Sequence, residues 1–328
     1  MIRRALMVTV ALSMSMLALP GGPAQATSGI EGVPALGNVF VIVGENTNYS
    51  QLTAGDAPFE LGWVQQHSAW FTNYWGISHY STSNYIAMTS GQFILCEQLD
   101  QKPATCHQDV PNLFQQLDTA SIPWTDWNES MPSPCYLINA GENRYGNAYR
   151  VKHNPAAYYD SIAGPDFTGT NGGGSCAAND LPMGTTGVNN TDTFDSALLL
   201  GSVPRFNYIT PNMCEDGHDN CTPQGNPIRQ FDDFLAREVP KIMTSPAWSA
   251  SSIIVIVYDE GQTGGPGKAV KFAGGNVPFA VIGDQVHNAV YTGLTNHYSL
   301  LRTLEDGFAL PGYVGAADTA TTLGNIWN

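Results

Sequence analysis

Positive charge is scarce in this chain. Thirteen lysines and arginines stand against 28 aspartates and glutamates, for a net charge of −15 over 328 residues. A surface of that sign repels nucleic acid and anionic membrane, so a role built on basic patches is excluded. A small anion is not excluded, because a metal ion or a few histidines can reverse the potential inside a pocket. Cysteine is limited to six residues with no CxxC pair, which argues against a thiolate zinc site. There is no HExxH and no GxSxG, and Gly172-Gly173-Gly174 has neither a preceding strand nor the lysine of a phosphate loop. No internal repeat and no heptad pattern is present.

Long apolar runs are also missing beyond the first residues. Arg3 and Arg4 precede an apolar stretch from Ala5 to Leu19, which Pro20-Gly21-Gly22-Pro23 breaks before Ala24-Gln25-Ala26. This is the form of a signal peptide over residues 1–26, cleaved after Ala26. Loss of Arg3 and Arg4 takes the charge from −15 to −17. No later segment is long enough to span a bilayer. The expected product, residues 27–328, is secreted or held in the cell envelope without stable membrane insertion. Its length suits a large buried core, and a polar, turn-rich stretch around 137–190 reads as a loop-rich insert. An even cysteine count outside the cytoplasm suggests disulfides. Cys96–Cys106 and Cys214–Cys221 would close short loops and Cys135–Cys176 a longer one, among the many pairings six cysteines allow.

What is present is a set of short apolar runs separated by helical patterns. NVFVIV (Asn38 to Val43), PRFNYIT (Pro204 to Thr210), SIIVIVY (Ser252 to Tyr258) and VPFAVI (Val277 to Ile282) read as buried strands. Helical spacing is expected over Leu61 to Ser68, Ser83 to Ser90, Asn112 to Asp118, Thr193 to Leu200, Ile228 to Met243 and Asn296 to Asp306. Phe71 to Ser78 reads as an aromatic, turn-like stretch, Trp124 and Trp127 as groove or core, and the tail after Leu310 as weakly ordered. Strands alternating with helices predict an α/β sheet with helices on both faces, whose ligands bind beyond the carboxyl ends of the strands.

Two strands end in chemically useful pairs. Glu45-Asn46 follows the first and Asp259-Glu260 the strongest later one. Either pair alone could simply be entering solvent. Together they offer the oxygen ligands that suit a hard divalent ion. Ser81, Thr82 and Ser83 can all cap the following helix, and each hydroxyl is a possible attacking group near a metal. Asn84 can donate to a phosphoryl oxygen or cap a turn. His153 and His218 can bind phosphate or protonate a leaving oxygen. His287 and His297 carry less signal.

At these residues the sequence resembles the bacterial phosphoesterase family of secreted acid phosphatases and phosphatidylinositol 3-phosphatases, which includes phospholipases C and lies in the alkaline-phosphatase-like superfamily. The matching pieces are VFVIVGEN with Tyr49, HYSTSNYIAMTSG, KHNPAAYY, FNYITPNMCEDGHD, FLAREVPKI, SPAW, IIVIVYDEG and THYSLLRTLED, in order from about residue 38 to residue 306. The resemblance implies a three-layer α/β sandwich with a mostly parallel sheet, in one domain over 27–328. It implies one divalent metal ion (calcium, magnesium, manganese or iron) on Glu45, Asn46, Ser81, Asp259 and Glu260. Ser81 stands at the nucleophile position. Ser83 replaces a proline common in related phosphodiesterases, and Asn84 is kept. His153 matches a phosphate-binding histidine. His218 matches a second one or the leaving-group acid, with Asp216 and Asp219 as orienting partners. The implied reaction is hydrolysis of a phosphate monoester, with phosphoinositides in range, through a phosphoserine. A phospholipase C or other phosphodiesterase is the enzyme alternative, and a non-catalytic secreted binding protein the other. The short chain, and GQTGGPGK after Asp259-Glu260, favour the phosphatase branch.

Overall fold

The computed structural model describes residues 30–93, 96, 99–142, 146–185, 190–262 and 273–328. The expected leader over residues 1–26 and most of the glycine-rich segment after Gly261 lie outside them. Nine strands pair into one sheet: β1 (Val39–Gly44), β2 (Ala69–Trp75), β3 (Trp124–Asn128), β4 (Asp180–Pro182), β5 (Phe206–Thr210), β6 (Ile253–Tyr258), β7 (Asn276–Ile282), β8 (Ala289–Tyr291) and β9 (Thr295–Asn296). Their order is β4-β3-β5-β1-β6-β7-β2-β8, with β9 beside β2. Pairing is parallel from β4 through β6, and β7 runs antiparallel to both β6 and β2.

The apolar runs occupy the middle of the sheet because both of its faces are covered there. Every residue of β1, β5 and β6 is buried. The helices are α1 (Pro58–Gly62), α2 (Ser81–Ser90), α3 (Pro103–Cys106), α4 (Leu113–Thr119), α5 (Asp160–Ala163), α6 (Cys176–Asn179), α7 (Asp192–Leu200), α8 (Pro227–Thr244) and α9 (His297–Gly307). On one face α2, α4 and α9 pack together. Tyr85 of α2 lies 6.3 Å from the Tyr208 ring, and Phe114 of α4 lies 6.3 Å from Phe206. On the other face α1 and α8 pack together, and Phe231 meets Tyr258 edge-on at 5.0 Å. A Cβ on Gly44 would fall 2.5 Å from the Phe231 ring, so glycine at the end of β1 lets α8 approach the sheet. The result is the three-layer sandwich of the alkaline-phosphatase-like architecture.

Three helices begin on asparagine caps. Asn112, Asn226 and Asn296 each accept a hydrogen bond from a backbone N–H of the first turn. The structure departs from the sequence reading in four places. The aromatic stretch expected to turn is β2, held by β7 and β8 on either side, with Trp70, Phe71 and Tyr74 buried. The segment around Trp124 and Trp127, for which no element was expected, is the buried strand β3, and both tryptophans take the core alternative. The helix expected over Leu61 to Ser68 starts earlier, at Pro58, and gives way to a 3-10 turn over Val64–Gln66. The tail is anchored: Leu323 and Ile326 are buried and Trp327 bridges Val286. The loop-rich stretch from 137 holds only short helical turns until β4, which joins the sheet at Asp180. Three disulfides, Cys96–Cys106, Cys135–Cys176 and Cys214–Cys221, account for all six cysteines.

Candidate active site

β1 and β6 are parallel neighbours, with Gly44 opposite Tyr258. Their carboxyl ends therefore deliver Glu45-Asn46 and Asp259-Glu260 side by side. Asn46 takes a left-handed backbone at φ 50°, and its N–H donates to Asp259 Oδ1 at 3.1 Å. Its side-chain amide donates to Glu45 Oε2 at 3.3 Å. On the far side of Asp259, His297 Nε2 lies 2.6 Å from the Asp259 carbonyl oxygen, and His297 Nδ1 lies 3.0 Å from the Tyr74 hydroxyl. The imidazole thus donates through Nε2 and accepts through Nδ1. Burial pushes it down to about 4, against that hydrogen bond, so it stays neutral.

Ser81 is the first residue of α2, and Tyr80 before it is extended. Successive helical residues point about 100° apart, so the three adjacent hydroxyls diverge. Ser81 Oγ donates to Glu45 Oε2 at 3.1 Å. Thr82 Oγ1 turns to Asp100 Oδ1 at 3.0 Å, and Ser83 Oγ turns back to the Tyr80 carbonyl. Asn84 is the strut of this corner. Its Oδ1 accepts from Ile77 and Ser78 N–H, and its amide reaches Ser78 O at 2.9 Å, Glu260 Oε2 at 3.3 Å and Tyr80 O at 3.4 Å. Glu260 is also held by His79 Nδ1 at 2.7 Å.

The two histidines arrive from loops. His153 Nδ1 meets Asp216 Oδ2 at 3.1 Å, and its Nε2 lies 3.1 Å from Glu45 Oε1. Tyr85 stacks on its ring at 5.1 Å. His218 Nδ1 meets Asp219 Oδ1 at 2.7 Å, and Asp216 Oδ1 accepts from the His218 backbone N–H. The two rings are 5.7 Å apart. One ligand atom each from Glu45, His153 and His218 lies within 4.8 Å of the others. The structure therefore gathers all eight sequence-singled residues, Glu45, Asn46, Ser81, Asn84, His153, His218, Asp259 and Glu260, into one cluster. It adds His79, Asp100 and Lys152, and it places beside them Asp216 and Asp219, expected as orienting partners, and His297, which carried less signal. His79 and Lys152 adjoin motifs visible in the sequence, but nothing in their spacing says what they touch.

The electrostatics suit a cation. Burial first, then Asp259 and Asp216, pushes the Glu45 carboxyl well above its usual range. Burial and then Glu260 do the same to Asp259. Burial also holds His153 well below its ordinary value, and Lys152 adds to that. Glu45 Oε1, Asp259 Oδ2 and His153 Nε2 are buried without a hydrogen-bond partner, the short Glu45–His153 approach lacking the alignment of a bond. Buried carboxylates left with open lone pairs are costly, and a divalent ion removes that cost. Carboxylate and amide oxygens beside neutral imidazole suit a hard or borderline metal. All cysteines are spent in disulfides, so no thiolate competes.

Comparison with known proteins agrees with this geometry. The chain matches the Phosphoesterase family over residues 37–311. It is 26% identical over 292 residues to a probable acid phosphatase of Kluyveromyces lactis, covering 88% of this chain and 62% of that protein. It is 27% identical to the phosphate-repressible acid phosphatase of Penicillium chrysogenum, covering 90% and 63%. The chain thus spans about three fifths of the fungal acid phosphatases it matches. The phosphatidylinositol-3-phosphatase of Mycobacterium tuberculosis is 24% identical, with 99% of this chain and 94% of that protein covered. A Vibrio parahaemolyticus crystal structure described as in the alkaline phosphatase superfamily shares the fold, with a TM-score of 0.60 at 14% identity over 88% of this chain and 70% of that one. With 37–311 matched on a fold that gathers these residues at one sheet edge, the chain belongs to the Phosphoesterase family.

Proposed function

We propose that this chain is a secreted, metal-dependent phosphomonoesterase that works through a phosphoserine on Ser81. The observation that carries the reading is the Ser81 hydroxyl at a helix start, hydrogen-bonded to Glu45 within a cluster of buried carboxylates of which Glu45 Oε1 and Asp259 Oδ2 have no hydrogen-bond partner. Glu45, Asn46, Ser81, Asp259 and Glu260 would hold one divalent ion. That ion, when bound, supplies Lewis-acid stabilisation of charge and lowers the pKa of the serine hydroxyl.

Ser81 Oγ attacks phosphorus as the bond to the ester oxygen breaks, and its proton passes toward Glu45 Oε2. His218, oriented by Asp219, would give a proton to the departing alcohol. Water then attacks the phosphoserine, releasing phosphate and restoring Ser81, so that configuration at phosphorus is retained. His153, fixed by Asp216 and the Tyr85 ring, would face the phosphoryl oxygens. The Asn84 amide would turn one N–H from its longer contacts, to Glu260 and the Tyr80 carbonyl, to the same task. The names of the fungal and mycobacterial relatives support a monoester substrate, with phosphoinositides in range, over the phospholipase C branch. The leader pattern and the three disulfides support export.

The test is hydrolysis of p-nitrophenyl phosphate by wild type and Ser81→Ala, after chelation and with calcium, magnesium, manganese or iron(II) restored. S81A should lose at least about three orders of magnitude in kcat. Wild type should lose activity on chelation and regain it with one of the ions. Undiminished turnover by S81A ends the covalent route. Faster turnover of bis(p-nitrophenyl) phosphate or phosphatidylcholine than of the monoester would place the chain among the diesterases instead.

A further inference from the structure

Lys152 is a cation in an acidic site. Its Nζ lies 3.1 Å from Asp100 Oδ2 and 3.3 Å from His218 Nε2. Its charge acts on Glu45, Asp216, Asp259 and Glu260. Arg150, which also acts on His153, turns a guanidinium nitrogen onto the carbonyls of Ala140 and Tyr149. Asp100 holds Lys152 with one carboxylate oxygen and with the other accepts from the Thr82 N–H and hydroxyl. A single aspartate therefore ties the ammonium to the start of α2, one residue beyond Ser81. His218 Nδ1 faces Asp219, and its Nε2 is left to accept from Lys152. That acceptor is a weak neutral partner for an ammonium, and a phosphoryl oxygen is a stronger one.

We propose that Lys152 is a substrate-binding residue that leaves His218 to grip a non-bridging oxygen of a phosphate monoester dianion, with Asp100 as its positioning residue. This rests on the phosphoesterase reading of the site and deepens it, because it makes the second negative charge of a monoester the feature recognised. A diester, with one negative charge, gains less from a second cation.

The test separates this from the reading beneath it. Binding of inorganic phosphate is measured by calorimetry on S81A, which cannot form the phosphoenzyme, and on S81A carrying Lys152→Met or Lys152→Arg. Removal of this partly buried charge partner should weaken phosphate binding about a hundredfold in the Met variant, and by less than about tenfold in the Arg variant. In the Ser81 background, K152M should lower kcat/KM for p-nitrophenyl phosphate about a hundredfold and for bis(p-nitrophenyl) phosphate less than about tenfold. Phosphate affinity unchanged within twofold, or equal losses on both esters, overturns the proposal. Should K152M fail to fold by circular dichroism, Lys152→Gln against Lys152→Arg decides by the same measurements. Full turnover by S81A would instead sink the serine mechanism and leave the phosphate-binding comparison standing.

Discussion

Glu60 allows a prediction with worked numbers. It lies on α1, fully buried, with the Tyr258 hydroxyl donating to Oε1 at 2.7 Å and Oε2 without a partner. Burial pushes its carboxyl from 4.5 to about 8, against the Tyr258 hydrogen bond. The folded state therefore keeps a proton that the unfolded chain releases above pH 4.5. With the folded value raised, the stability from this group is fully present below the unfolded value and is lost as pH rises toward 8. Each unit is worth about 1.36 kcal/mol, so between pH 5 and pH 7 the loss from Glu60 is about 2 to 3 kcal/mol. Glu60→Gln keeps an acceptor for Tyr258 and cannot ionise. Its extra unpartnered N–H costs about 1–2 kcal/mol, equally at both pH values. Urea unfolding of both proteins at pH 5 and pH 7, in the same metal state, isolates the term. Wild type should lose about 2 to 3 kcal/mol more than E60Q over that interval. Parallel losses would refute the claim that Glu60 is held neutral beneath the strand carrying Asp259.

Two further outcomes follow from the geometry. His297→Leu removes the donor to the Asp259 carbonyl and the acceptor for Tyr74, two buried groups worth about 1–3 kcal/mol each; urea unfolding should show that cost, and a lower EDTA concentration should half-inactivate the variant. Replacing Cys135 and Cys176 by alanine, 41 residues apart, should cost about 4 kcal/mol, and the Cys214–Cys221 pair, 7 apart, about 2.4 kcal/mol, if loop closure dominates; the reverse order in denaturant midpoints would refute it.

The central strands were legible because β-branched runs such as IIVIVY are disfavoured anywhere but in a sheet covered on both faces. β2 and β3 were not. AWFTNYW mixes aromatics with Thr72 and Asn73 and becomes a strand because β7 and β8 supply its ladder. WTDWN carries Asp126 and Asn128 into the interior, tolerable only because Asn128 binds both Asp126 and Asp180, and Asn154 binds Asp180 again. Asn154 and Asp180 lie 26 and 52 residues downstream of Asn128, beyond any local pattern. The tail looked too polar to dock, yet Leu323 and Ile326 are buried and anchor it.

The chain's own order of residues determined that acids and an amide would stand at the carboxyl ends of two buried strands, because apolar runs must be buried and the polar residues that end them must emerge at the sheet edge. Whether those two edges coincide was decided by topology alone, when β6 chose β1 as its parallel neighbour. The choice among Ser81, Thr82 and Ser83 was likewise beyond residue chemistry, and only the family resemblance put Ser81 at the nucleophile position. All three are hydroxyls at a helix start, and only the angle at which α2 docks on the sheet turns one toward Glu45 and the others toward Asp100 and Tyr80.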